Sequence, residues 1–485
     1  MIQKVHIKSS LINACLTVLI ILTLVAFSLH FYRLSKVPFG FHVDEMSGSV
    51  AIGCLATEGL DAHNHPYPLF ANLNYGTPKP PVYLYPAVTW SKLFGYSVPS
   101  LRALSVTVHL LGIIGLFFLA QSLLGWRYAV LTVSFASISP WAWVESRVAF
   151  ESLFAVTFMI WGLYFILQPP KMWRMILAGV LMAGAMYSYP PMRLQTPLIL
   201  IPLSIYCRIH YRLGFKHLLA FSSVFAIALI PLVQYTLNGQ LQERFNTISI
   251  FSHDYLQSIG SNGSWVQLMQ IFAHIYALHF QPEFLFTKGD LSYVHSTRHF
   301  GILSWMDMAA LTVGLVFLLM LFTKSGRKNN PIVTHGHLLI LFIACILIGV
   351  LPAALTNSEV PNSLRIMGSW PFMCLFSSLI LGQACERCWG VWLVTVILTG
   401  AFAFAFLKVY FINYPQESKG MFDFMALEMA NGIKTDEEWL KFIYIYHRED
   451  YHCRYYLMQY RHLSCTQTRV MWEGMRDLLK AQGKY

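Results

Sequence analysis

Val82-Tyr83-Leu84-Tyr85-Pro86-Ala87-Val88-Thr89-Trp90-Ser91-Lys92-Leu93-Phe94-Gly95 decides which side of a membrane every later loop occupies. The stretch is apolar and aromatic. At 14 residues it falls short of the roughly 20 that a spanning helix needs, and Pro86 interrupts it. Eleven other apolar runs stand around it, at 11–29, 100–123, 128–145, 152–168, 175–190, 194–207, 216–235, 301–323, 333–355, 367–385 and 389–412. Counting 82–95 as a twelfth span would reverse every loop beyond it.

Loop charge separates the two readings, because Lys and Arg collect on the cytoplasmic side. With 82–95 at the interface and the N-terminus inside, the inner loops carry Arg127; Lys171 and Arg174; Arg208, Arg212 and Lys216; Lys324, Arg327 and Lys328; and Arg387. The facing short loops carry mainly Arg147, Arg193 and Arg365, one each. The segment is therefore read as interfacial or re-entrant. Leu11–Leu29, after Lys4 and Lys8, is read as an uncleaved anchor rather than a signal peptide.

Composition agrees. Of 485 residues 56% are hydrophobic and only 12% charged, against roughly 25% charged in a soluble domain. Such a chain cannot cover a water-facing surface, which argues against a soluble enzyme, a disordered protein or a nucleic-acid binder. Lys and Arg number 34 and Asp and Glu 23, giving a net +11, which the inner loops largely absorb. The tail differs: 20 of the 73 residues from 413 to 485 are charged, against 37 of the 412 before them. The expected organisation is an all-α polytopic membrane domain over 1–412 and a small polar extracytoplasmic domain over 413–485. In the tail Phe422–Ile445 looks helical, and the Tyr/His/Arg-rich stretch after it fits strand or helix.

The nine cysteines suggest no disulfide framework. Cys15, Cys207, Cys345 and Cys374 lie in apolar runs. Cys385-Glu386-Arg387-Cys388 has no second ligand pair nearby, so zinc is not expected. Cys453 and Cys465 could pair if the tail lies outside the cytosol.

In this topology the polar stretches 34–99, 236–300 and 356–366 and the turn 146–151 share the outer face. The first opens with Phe41-His42-Val43-Asp44-Glu45. Asp44 suits a helix cap, and equally a general base at the membrane surface. Further on, Pro78-Lys79-Pro80-Pro81 fixes the backbone around Lys79, which either snorkels or binds a phosphate. Arg147 and Glu151 are four apart; a helix would put them on one face, as a plain salt bridge or as part of a charged pocket beside Asp44. His295 and Arg298, in Tyr293-Val294-His295-Ser296-Thr297-Arg298, and Arg365, in Asn362-Ser363-Leu364-Arg365, are candidate donors to a phosphate or sugar. A solvated loop accounts for any one of them equally well. His63 and His65 near Asp61 are read as a polar loop in preference to a metal site.

The order of these pieces resembles the GT-C fold membrane glycosyltransferases, specifically the protein O-mannosyltransferase and lipid A aminoarabinose transferase group. The matching elements are Asp44-Glu45 after the first span, Lys79-Pro80-Pro81 followed by aromatics, Arg102 opening the next span, the turn from Ser146-Arg147 to Glu151, and the late loop from Pro352 and Leu355-Thr356 to Leu364-Arg365. The resemblance implies transfer of a sugar from a polyprenyl-phosphate donor to an acceptor hydroxyl on the outer face, with inversion. It implies a catalytic Asp44 partnered by Glu45, and Lys79 at the donor phosphate. Glu151 stands where the family often has Asp. No cofactor or divalent metal is expected, and the partners are the lipid-linked donor, a protein, lipid or glycan acceptor, and the bilayer. The loops look bacterial, which points to the plasma membrane. The alternative, a transporter or flippase of a lipid-linked sugar, calls for internal repeats and a midplane polar site; no repeat is visible, and the polar groups gather at one interface.

Overall fold

The computed structural model describes residues 2–61, 63–71, 78–211, 213–239, 243–320, 331–445, 450–460 and 463–481. Asn74-Tyr75-Gly76-Thr77, ahead of Lys79, and the inner-loop cations Arg212, Lys324, Arg327 and Lys328 lie outside the described residues, as does Arg448 in the tail. Every regular element among the described residues is helical, with three isolated β-bridges. The expected all-α polytopic class is therefore what the chain has.

Among the described residues six helices are long and apolar enough to cross a membrane: Ser9–His30, Val98–Leu124, Phe215–Leu237, His335–Ala354, Leu364–Arg387 and Trp389–Glu417. Ser152–Ile166, Met172–Ser188 and Trp305–Met320 are apolar but shorter. The expected span 128–145 is two helices, Trp126–Ser137 and Pro140–Ser146, because Pro140 has no amide hydrogen to continue the first. The deciding stretch is a single helix, Pro81–Phe94, begun by Pro81 at its first position and containing Pro86; its 14 residues reach roughly 21 Å.

The chain divides into two compact units. The first comprises Met1–His30, Val108–Glu145 and Ser152–Tyr410. It holds most of the apolar helices, and some of its buried polar side chains bond to one another. Thr132 donates to Ser378 at 2.7 Å, and Ser377 donates to Asp307 at 2.6 Å.

The second unit comprises Phe31–Thr107, Ser146–Glu151 and Phe411–Tyr485. Its helices are α1 (Val43–Glu58), α2 (Pro81–Phe94), the first turns of Val98–Leu124, and, in the tail, Phe424–Gly432, Asp436–Ile445, α3 (Asp450–Tyr460) and α4 (Cys465–Ala481). Helix α1 has sharp ends. His42 accepts the Asp44 N–H at 3.2 Å and Glu45 accepts the His42 N–H at 3.0 Å, a reciprocal cap with an imidazole where Ser or Thr is usual. Gly59 closes the helix at φ 71°, a left-handed conformation that costs glycine little. Between those ends α1 is almost wholly buried. Met46, Val50 and Cys54 join Phe41, Val98, Trp439, Phe442, Tyr455 and Tyr456 in one apolar core, so the tail packs on the helix that carries Asp44 and Glu45.

The tail is also tied covalently. Cys54 and Cys465 form a disulfide across a sequence separation of 411. This corrects the suggested pairing of Cys465 with Cys453. Helix α3 carries Cys453 and α4 begins at Cys465, and the α1 helix lies against both, which brings Cys54 to the partner's side. The Tyr/His/Arg-rich stretch is the helix α3, and Phe422–Ile445 is helical as expected, in two pieces, Phe424–Gly432 and Asp436–Ile445.

Candidate active site

The second unit gathers five of the singled-out residues: Asp44, Glu45, Lys79, Arg147 and Glu151. Two adjacent carboxylates open α1 and meet opposite surroundings. Asp44 is about one-third exposed, with the His42 ring nitrogen 3.7 Å from its oxygen. The Glu45 side chain is fully buried. Its Oε1 accepts from Arg102 Nε at 2.7 Å and from the Ala149 N–H at 2.9 Å. Its Oε2 accepts from Arg102 Nη2 at 2.7 Å and from the His42 N–H at 3.0 Å. Four donors thus fill Glu45, while Asp44 keeps solvent access.

Arg102 is equally committed. Besides Glu45 it donates to the carbonyls of Leu34, Pro38 and Gly40 at 2.8–3.1 Å, and its guanidinium lies 5.4 Å from the Phe41 ring centre and 5.9 Å from that of Phe422. A buried planar fork with this many acceptors fixes the path of the chain from the first span into α1. The sequence offered a signal for it: an arginine opening an apolar span is costly without a partner.

The turn 146–151 is held on both sides of Ala149. Its N–H goes to Glu45, and its carbonyl accepts from the Tyr83 hydroxyl of α2 at 3.1 Å. Arg147, also buried, donates to the carbonyls of Tyr32 at 2.7 Å and Val37 at 3.1 Å and stacks over Phe411. No helix carries both Arg147 and Glu151: Pro140–Ser146 ends before Arg147 and the next helix begins at Ser152. Glu151 instead meets Lys79, Nζ to Oε2 at 3.0 Å. The Lys79 backbone exchanges two hydrogen bonds with Ala71, and its stem passes over Gly48 of α1, where a Cβ would lie 2.7 Å from Cε.

His295, Arg298 and Arg365 belong to the other unit. His295 Nδ1 lies 2.7 Å from Glu145 Oε1. Burial opposes charge on that ring, but the Glu145 carboxylate and its hydrogen bond, with Asp290 and Glu359 behind them, push it up to about 9. The Arg298 guanidinium lies over Tyr293, at 5.7 Å from the ring centre. Arg365 is taken up by its own loop, donating to Thr356 Oγ1 and to the Ser358 carbonyl and hydroxyl. Asp290 pins the same loop by accepting from Ser363 N–H at 2.7 Å and Ser363 Oγ at 3.0 Å. Glu145 is the residue of this group that the sequence reading passed over; an acid inside the run Trp141–Val148 was its signal.

Asp61 is occupied by a turn: it accepts the N–H groups of His63 and His65 and faces the His65 ring at 3.2 Å. Among the described residues no three His, Cys, Asp or Glu side chains converge as metal ligands.

No protein-family model and no curated protein matches the chain. Solved structures do. ArnT from Cupriavidus metallidurans bound to undecaprenyl phosphate aligns over 94% of this chain and 75% of its own, with 14% identity and a TM-score of 0.48. The Archaeoglobus fulgidus oligosaccharyltransferase in complex with Zn and sulfate aligns over 88% of this chain, with 16% identity and a TM-score of 0.44. The archaeal oligosaccharyltransferase AglB of the same organism, in complex with an inhibitory peptide and a dolichol-phosphate, gives 15% and 0.45. This chain spans 56% and 59% of the length of those two oligosaccharyltransferase chains. The likeness is one of fold, to ArnT and to archaeal oligosaccharyltransferase chains.

Proposed function

We propose that the protein is an integral membrane glycosyltransferase that moves a sugar from a polyprenyl-phosphate donor to an acceptor hydroxyl at the outer membrane face, with inversion. One observation carries the reading: of two adjacent carboxylates, Glu45 is saturated by four donors and Asp44 is solvent-accessible at the start of the same helix. A hydroxyl is a poor nucleophile until a base takes its proton, and Asp44 is the group free to do so. Glu45 then serves as the anchor that sets where Asp44 stands.

In the transfer step the acceptor oxygen bonds to the anomeric carbon while the bond from that carbon to the phosphate oxygen breaks. The acceptor proton passes to Asp44. The leaving polyprenyl phosphate gains a negative charge, and the Lys79 ammonium is the cation in this unit suited to stabilise it.

The Cys54–Cys465 disulfide supports an oxidising compartment for the face bearing Asp44, as does the charge bias of the opposite loops. The reading therefore puts the N-terminus in the cytoplasm, the site and tail outside, and the chain in a plasma membrane. Purified protein in liposomes, supplied with a synthetic polyprenyl-phosphate sugar and a crude acceptor fraction, tests it. Labelled sugar should leave the donor for the acceptor with release of polyprenyl phosphate; donor turned over by no fraction would contradict it.

A further inference from the structure

Lys79 has a counter-ion within its own chain, Glu151. Its side chain is 5% exposed and that of Glu151 15%, so the pair sits at the edge of the interior, with Glu151 on the open side. A nearly buried ammonium is costly unless paired. Glu151 meets that need, yet it also occupies the cation that a phosphate would want.

The surroundings suit an exchange of partners. The turn bearing Glu151 is held without the pair, by Ala149 N–H to Glu45, Tyr83 hydroxyl to the Ala149 carbonyl, and Arg147 to the Tyr32 and Val37 carbonyls. Lys79 is held by its own backbone bonds to Ala71. Breaking the 3.0 Å contact therefore asks only for side-chain movement. Gly48 leaves the Lys79 stem room on the α1 side, and the Tyr83 ring stands 5.7 Å from Nζ.

We propose that Glu151 is the resting counter-ion of Lys79, and that a lipid phosphate binds by displacing it, so that Glu151 weakens the hold on the spent carrier and speeds its release. This rests on the donor reading above and adds a role for Glu151 that is neither acid nor base. When the phosphate leaves, the carboxylate returns to the ammonium, and no step leaves Lys79 buried and unpaired.

The test is direct binding of labelled undecaprenyl phosphate to purified protein in nanodiscs, with the Cys54–Cys465 disulfide mapped as a check on folding. Glu151→Gln should bind it roughly fivefold or more tightly than wild type and release it correspondingly more slowly, because a rival anion is gone. Lys79→Gln should bind it weakly, and the double variant should match Lys79→Gln alone. If Glu151→Gln fails to fold, Glu151→Asp, whose carboxylate is one methylene further from Nζ, should also tighten binding. Unchanged or weaker binding by the folded Glu151 variants would overturn the inference and leave the donor reading standing. A wild-type protein with no affinity for the lipid would overturn both. Inorganic phosphate competing as well as the lipid would place the affinity in the anion alone, and would overturn the assignment to the carrier.

Discussion

Arg102 grips Glu45 with two parallel hydrogen bonds of 2.7 Å, and neither side chain reaches solvent. The pair joins the start of one spanning helix to the first turn of α1. Removing one member leaves the other charged and buried without its counter-ion, which costs about 3–5 kcal/mol. Glu45→Gln and Arg102→Met should therefore each reduce the yield of folded protein and its thermal midpoint in detergent. Arg102→Lys should not restore it, since an ammonium lacks the fork that reaches Glu45 and three carbonyls together. Normal stability of Glu45→Gln would refute the anchoring role.

The Glu145–His295 pair gives a pH dependence with a definite sign. The ring is raised from an ordinary value near 6.5 to about 9, so the folded state favours its charged form. Its contribution to stability is present in full below about pH 6.5 and is lost as the pH rises through about 9. Thermal midpoints across that range should fall for wild type and change less for His295→Gln. Equal slopes for both would count against the pair.

The disulfide makes a prediction that the sequence reading would have reversed. Peptide mapping without reduction should recover the Cys54 peptide joined to the Cys465 peptide. Cys453→Ser should leave that link intact, and Cys54→Ser should abolish it and loosen the tail from α1 by roughly 2–5 kcal/mol. A Cys453–Cys465 peptide in the wild type would disprove the assignment.

Gly48→Ala probes the position of Lys79. The new methyl would press on Cε, the mobile end of a flexible side chain, so the fold should survive while the ammonium shifts. A misplacement near 1 Å can cost on the order of a hundredfold. Transfer should fall roughly ten- to a hundredfold with the disulfide and thermal midpoint nearly unchanged; wild-type transfer would show that this approach does not matter.

The helical architecture was legible because apolar runs broken by Pro and charge are local signals. Each of the eleven runs contains helix, and Pro86 with the short length of 82–95 matches the single helix Pro81–Phe94. Asp44, Glu45, Lys79, Arg147 and Glu151 were legible as types in an order, and they do fall in one unit. Their partners were not. Glu151 lies 72 residues from Lys79, Arg102 lies 57 from Glu45, and Cys465 lies 411 from Cys54, and spacing in one sequence carries no register over such distances. The shared helical face for Arg147 and Glu151 was misleading for a local reason: the chain turns between Ser146 and Ser152. The difference between Asp44 and Glu45 is likewise a property of packing, since the two are neighbours with the same acid group.

That difference is the centre of the account, and Asp44→Asn in the liposome transfer assay tests it most directly. The variant should insert, form the Cys54–Cys465 disulfide and melt near the wild-type temperature, because Asp44 carries none of the bonds that hold Glu45. Its turnover should fall by on the order of a hundred- to ten-thousandfold, the range lost with a general base. Near-normal turnover by folded Asp44→Asn would contradict the account.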